Sequence, residues 1–366
     1  MNGRRLVMVA ALPAALVAMI AMRGVATPRP SDYDAELARF SSADLRNRYL
    51  RATLTGDFGD YRLAEQALER ELAASGASQA LLLARATLAF KLHRLPKAKR
   101  DLALLPETDA VRALRADVAL MEGRYADAAR AYESLAATSP SWDNLARLAY
   151  FKSKTGDVAG ADRLYAAAQD ELTAKELRSY AWVEVQRGVM RFEHGRYAGA
   201  LAHYERAERA YSGWWLVEEH RAEVLHGMGR TRQAVALYRK VVARTRNPEL
   251  FGALAAILED EQPEEARALY AEAGRLFAEQ MRIYPEAAIG HALRFQLSRA
   301  DAAPELVALA RRNVALRPNA EAKLLLAQAY LKSSQPAPAR AIIAEIATTP
   351  WRTPELARLQ RELAAR

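Results

Sequence analysis

The chain has 366 residues, 51% of them hydrophobic and 27% charged, and no cysteine. The missing thiols remove disulfides, thiol catalysis, iron–sulfur clusters and Cys-based zinc sites together. Lys and Arg number 53 against 44 Asp and Glu, a formal charge of +9, and this modest excess is spread along the chain; no nucleic-acid partner is expected of a chain that, as its N-terminus indicates, is exported.

At the N-terminus, Arg4 and Arg5 precede an uncharged apolar run from Leu6 to Met22, followed by the small residues Gly24-Val25-Ala26. Residues 1–26 therefore read as a secretory signal peptide or as an uncleaved membrane anchor. A spanning helix needs about 20 apolar residues, whereas this run holds 17 with Pro13 among them, so both readings stay open. Either one exports the chain, leaving it periplasmic or anchored in the inner membrane and facing the periplasm. No cysteine follows the run, which excludes a lipoprotein.

After a lead-in over 27–44, the sequence repeats itself. Tyr132, Tyr165, Tyr204, Tyr238 and Tyr270 each follow an alanine by four residues and are spaced 33, 39, 34 and 32 apart. A period in that range marks one supersecondary unit copied along the chain. The unit is plainest where Gly123, Tyr125, Ala128 and Tyr132 run towards Pro140. A small residue stands twelve positions before each ladder alanine: Ala116, Ala149, Gly188 and Ala222. Two small side chains let two helices cross closely, and Gly123, Gly156, Gly195 and Gly229 stand between them, where the first helix must stop and the chain must turn.

These residues resemble the tetratricopeptide repeat family. Weaker copies extend the pattern to Ala52, Gly59, Tyr61, Ala64 and Leu68, to Ala86, Ala98 and Leu102, and to Leu326, Ala327, Tyr330, Ala339 and Ile343. The resemblance implies an all-α solenoid, a right-handed superhelix of about nine helical hairpins over 45–350, closed by a capping helix over 351–366. The eighth unit, from Tyr284 through His291 towards Pro318, lacks the Gly-x-Tyr turn, and its register is open. Exported scaffolds of this kind serve cell-envelope assemblies, and a protein partner is what the resemblance implies.

In stacked hairpins the first helices line the concave side. Taking inward positions at spacings of three and four gives Asp143, Ala146, Tyr150 and Ser153 in the fourth unit. The fifth gives Trp182, Val185, Val189 and Phe192, and the sixth gives Leu216, Glu219, Glu223 and His226. From these, Tyr150, Trp182, Val185, Val189, Phe192, Glu219, Glu223 and His226 are the expected partner-binding groove. An aromatic strip beside an acidic one suits a basic or amphipathic segment of another envelope or secreted protein. The Lys/Arg/Asn clamp with which some relatives of this pattern grip a terminal carboxylate is absent from these positions. Core packing is the competing reading of the aromatic residues. The densest basic stretch, Lys91 to Arg100, reads as a solvated face, and Trp214 and Trp215 are expected to pack on the preceding second helix.

Chemistry has few footholds. Phosphate-loop, dinucleotide and nucleophile-turn motifs are all missing, so no enzyme and no cofactor is expected. Glu219, Glu223 and His226 share one helix face at i, i+4 and i+7 and form the one metal-site candidate, the basis of an alternative reading as a metal- or small-ligand-binding repeat protein. His291 reads as a satisfied interior histidine.

Overall fold

The computed structural model describes residues 30–299 and 304–365, so the leader over 1–26 lies outside the described residues. Every regular element among them is a helix. A short α1 (Asp32–Arg39) leads in. Nine hairpins follow: α2 (Leu45–Thr55) with α3 (Phe58–Ser75), α4 (Gln79–Lys91) with α5 (Leu95–Ala103), α6 (Asp109–Met121) with α7 (Tyr125–Thr138), α8 (Trp142–Lys154) with α9 (Val158–Asp170), and α10 (Leu177–Glu193) with α11 (Tyr197–Ala210). The array continues through α12 (Trp215–Gly227) and α13 (Thr231–Val242), α14 (Pro248–Leu258) and α15 (Pro263–Ile283), α16 (Pro285–Arg299) and α17 (Pro304–Leu316), and α18 (Ala320–Lys332) and α19 (Pro336–Ala347). A final helix, α20 (Pro354–Ala364), ends it. The structure is an α-solenoid of tetratricopeptide-type hairpins.

The helices start where the sequence supplies caps. Asp44, Asp57, Ser78, Thr108, Asn247, Asn319 and Thr353 each accept a hydrogen bond from a backbone N–H in the first turn of the helix that follows, satisfying a donor that has no partner inside the helix. Within each hairpin the small residues lie at the crossing. Ala128, Ala161, Ala200 and Ala234 are completely buried. At Gly188 a Cβ would fall 2.2 Å from Cε1 of Tyr204, so the ladder tyrosine lies directly over the place of the missing side chain. Four of the ladder rings, Tyr132, Tyr165, Tyr204 and Tyr238, are no more than 4% exposed, while Tyr270 is half-buried.

Gly123, Gly156, Gly195 and Gly229 all adopt positive φ, between 70° and 92°, as a left-handed turn after a helix requires. In the first hairpin the turn residue is Gly56, φ 66°, not Gly59, which already lies inside α3. Asp57 caps α3 and sets this earlier start. The second and ninth hairpins put His93 and Ser334 in the same conformation, at φ 55° and 56°. In the eighth, the link between α16 and α17 falls on residues 300–303, outside the described residues.

The superhelix closes on itself. Its second gyre rests on its first through contacts 161 to 224 residues apart in sequence, about five to seven units at a 34-residue period. Trp215 donates its indole N–H to the Leu54 carbonyl at 3.3 Å, and its ring covers Gly56. It thus packs across gyres, while Trp214 packs on the end of the preceding second helix, α11, edge-on to its cap residue Tyr211 at 5.8 Å. His93 lies 3.4 Å from the Glu286 carbonyl and against Arg317. The Tyr125 hydroxyl accepts the Ala320 N–H at 2.6 Å, and the Arg352 N–H donates to the Lys154 carbonyl at 2.8 Å. The largest apolar cluster spans this seam, from Tyr125, Tyr132 and Phe151 to Leu324, Tyr330 and Trp351. The basic stretch is a solvated face only in part: Lys91, Lys99 and Arg100 are exposed, whereas Arg94 and Lys97 are half-buried and pair with Glu65, Lys97 also with Glu69.

Candidate partner-binding surface

The chain itself occupies part of the expected groove. The Tyr150 hydroxyl donates to Glu321 at the start of α18, 3.0 Å away. Val185 has no exposed surface and sits in a cluster with Leu54, Tyr204 and Val217. Trp182 is partly buried edge-on against Trp142, with ring centroids 6.1 Å apart. These three side chains are packing residues: Trp182 is taken up by the neighbouring hairpin, and Tyr150 and Val185 are met by the other gyre, because the period that identifies a first-helix position does not say how tightly the superhelix winds.

Further along α10 and α12 the wall opens. Val189 and Phe192 are partly buried, with Phe192 5.4 Å from the Tyr197 ring and beside Gly227. Glu219 and Glu223 are half-buried, and His226 is exposed. Glu219 makes no hydrogen bond or ion pair among the described residues. Burial within the concave interior, reinforced by the carboxylates of Glu249 and Glu223 and opposed by His220 and His291, pushes its carboxyl up to about 7. It is water-accessible yet surrounded by protein, so its charge is poorly solvated.

Glu223 takes the imidazole of His220 at 3.3 Å, and that ring stacks on Tyr204 with centroids 5.4 Å apart. Burial would lower the His220 pKa, but Glu219 and Glu223 outweigh it and raise it. The Tyr204 hydroxyl, buried beside them, has no hydrogen-bond partner among the described residues. On the facing helices His291 binds Glu249 at 2.8 Å, so His291 is paired, with a residue 42 positions away in sequence. Two neighbours that the repeat pattern could not supply thus belong to this wall, Glu249 and His291.

The metal candidate is overturned. His226 points to solvent, His220 takes its place beside Glu223, and among the described residues no group of three or more His, Asp or Glu side chains converges on a point that could hold an ion. A cavity of about 480 Å³ lies between α2–α3 and α12–α16, lined by Phe58, Trp215, Asn247, Phe277 and charged groups. Those groups are engaged with one another or with neighbouring acids: Arg51 with Asp60, Arg244 with Asp34 and Glu218, Arg246 with Glu279, and Glu249 with His291. It is a gap in the seam whose charges are already matched.

Elsewhere the polar interior is structural. Glu184, 1% exposed, holds His203 at 2.6 Å, Arg206 at 3.1 Å and Gln169 at 2.9 Å. Burial pushes its carboxyl up, but these hydrogen bonds outweigh it and bring it down to about 2.

No protein-family model matches this chain, and no curated protein sequence matches it. Solved structures do. Yeast Tom70 is 15% identical, with 91% of this chain and 92% of that one covered and a TM-score of 0.37. The hetero-tetramer Cut9–Hcn1 of APC/C is 15% identical over 89% of this chain and 64% of that one, TM-score 0.48. A tetratricopeptide repeat protein from Parabacteroides merdae is 16% identical over 73% and 99%, TM-score 0.44. The assignment of the architecture rests on the chain's own hairpins.

Proposed function

We propose that this protein is a non-enzymatic interaction scaffold of the bacterial cell envelope, whose open inner wall receives a basic, amphipathic segment of another envelope or secreted protein. The observation that carries the reading is the wall itself: Val189 and Phe192 on α10 and Glu219 and Glu223 on the next first helix, α12, are all only half-buried, and among the described residues Glu219 makes no hydrogen bond or ion pair. A partner ammonium or guanidinium entering there would find an unmatched carboxylate next to an apolar anchor surface. The helices are already ordered, so docking costs the scaffold little conformational entropy. The reading of an exported protein rests on Arg4, Arg5 and the apolar run that follows them.

Capture from a mildly cross-linked envelope fraction, with wild type and the Glu219→Gln/Glu223→Gln variant side by side, tests it. One specific partner is expected to be retained by wild type and lost with the variant while thermal stability is kept. Phe192→Ala should weaken the same partner by about 1–3 kcal/mol. Binding should strengthen as pH rises through about 7, because Glu219 ionises there, and Glu219→Gln should flatten that dependence. A partner held equally by all variants would move the interface off this wall.

A further inference from the structure

The seam joins two kinds of edge: the turns inside hairpins and the loops between them. Turns of the first four hairpins, at Gly56, His93, Gly123 and Gly156, are covered by Trp215, by Glu286 and Arg317, by Pro318 and by Arg352, each at or next to the start or end of a later hairpin. Both edges recur uncovered at opposite ends of the molecule. The turns of hairpins 5 and 6 are bare, and a Cβ at Gly195 or Gly229 would meet nothing within 4 Å. The loops before hairpins 3 and 5, over 104–108 and 171–176, are likewise largely exposed.

The two bare edges are chemically matched. Four large apolar side chains are exposed among the described residues, and three lie on these edges: Leu104 at 69% and Leu177 at 44% on the loop edge, Met228 at 38% on the turn edge. Leu177 opens α10 as Trp215 opens α12, and Trp215 is the residue that caps a turn in the seam. Arg196, Arg230 and Arg232 flank the bare turns, while Asp170 and Glu171 flank the bare loop. All five are exposed and make no ion pair among the described residues. The outer side of α20 presents the polar side chains Arg358, Gln360 and Arg361.

We propose that the turn edge of hairpins 5 and 6 in one molecule receives the loop edge of a second copy, so that copies add head to tail along the superhelix axis as the second gyre adds to the first. The contact uses two different surfaces, so it is heterologous and open-ended. Apolar residues ringed by opposite charges make it salt-sensitive. It uses none of the inner-wall residues and stands or falls independently of the groove reading.

Sedimentation velocity of the full chain in mild detergent, across a concentration series at low and high salt, is the test. Wild type should associate with rising concentration and less so in high salt. Met228→Glu, which blocks the turn edge, and Leu104→Asn/Leu177→Asn, which blocks the loop edge, should each be monomeric with unchanged melting. Their equimolar mixture retains one intact pair of edges and should form dimers that grow no further. A wild type that stays monomeric, association that survives in both variants, or a mixture that stays monomeric would each overturn the proposal.

Discussion

Gly123 and Gly195 occupy the same place in their hairpins with nearly the same backbone, φ 72° and 70°, yet one is enclosed and the other bare. A Cβ at Gly123 would lie 2.7 Å from the Pro318 carbonyl oxygen, while one at Gly195 would meet nothing. The local code of the repeat sets the backbone of both. What a substitution costs depends on whether a later gyre sits on the turn.

The largest expected effect separates the two directly. Alanine at Gly195 should cost about 1 kcal/mol, the penalty of a side chain in the left-handed region. At Gly123 the same penalty is joined by the clash with the second gyre, for about 3 kcal/mol in all; equal losses in denaturant melts would mean that the gyres do not touch there. Next comes the tyrosine two residues on. Tyr125→Phe strips the buried Ala320 N–H of its acceptor and should cost about 1–2 kcal/mol, whereas Tyr197→Phe at the matching position of hairpin 5 should stay within about 0.5 kcal/mol.

The smallest effect concerns acid. Burial, together with Arg317 and His291, pushes His93 down to about 3. The imidazole is therefore neutral in the fold, and the unfolded chain takes up a proton first as pH falls below the ordinary value near 6.5. Stability tied to this turn should be fully present above about pH 6.5 and decline towards 3, by about 1 kcal/mol at pH 5 after allowance for solvent access. His93→Asn, which tolerates the left-handed turn, should flatten that decline.

Hairpins were legible because each carries its own signals: an alanine, a tyrosine four residues later and a glycine before both. Where a hairpin used other residues the pattern misplaced the turn, as with Gly59 for Gly56, or passed over it, as with His93 and Ser334. The groove was legible only as far as it depends on one unit. Glu219, Glu223, Val189 and Phe192 are half-buried on first helices α12 and α10. Tyr150 and Val185 are instead taken up by Glu321 and Leu54, and no repeat signal encodes a neighbour more than 100 residues away. Trp215 illustrates the same limit: its sequence neighbours placed it on the preceding helix, and the first hairpin claimed it instead.

The bond from Ala320 to Tyr125, 195 residues apart, also alters how this chain must assemble and respond to force. An open solenoid acts as a soft spring, and its units can fold or melt almost one at a time, each stabilised by its neighbours. Here the coils are fastened together, so stretching has to tear a row of cross-coil contacts before the spring can extend. Folding likewise waits for the two halves to meet, a slow, non-local step, after which hairpins 1–4 and 6–9 melt together rather than fraying from the ends.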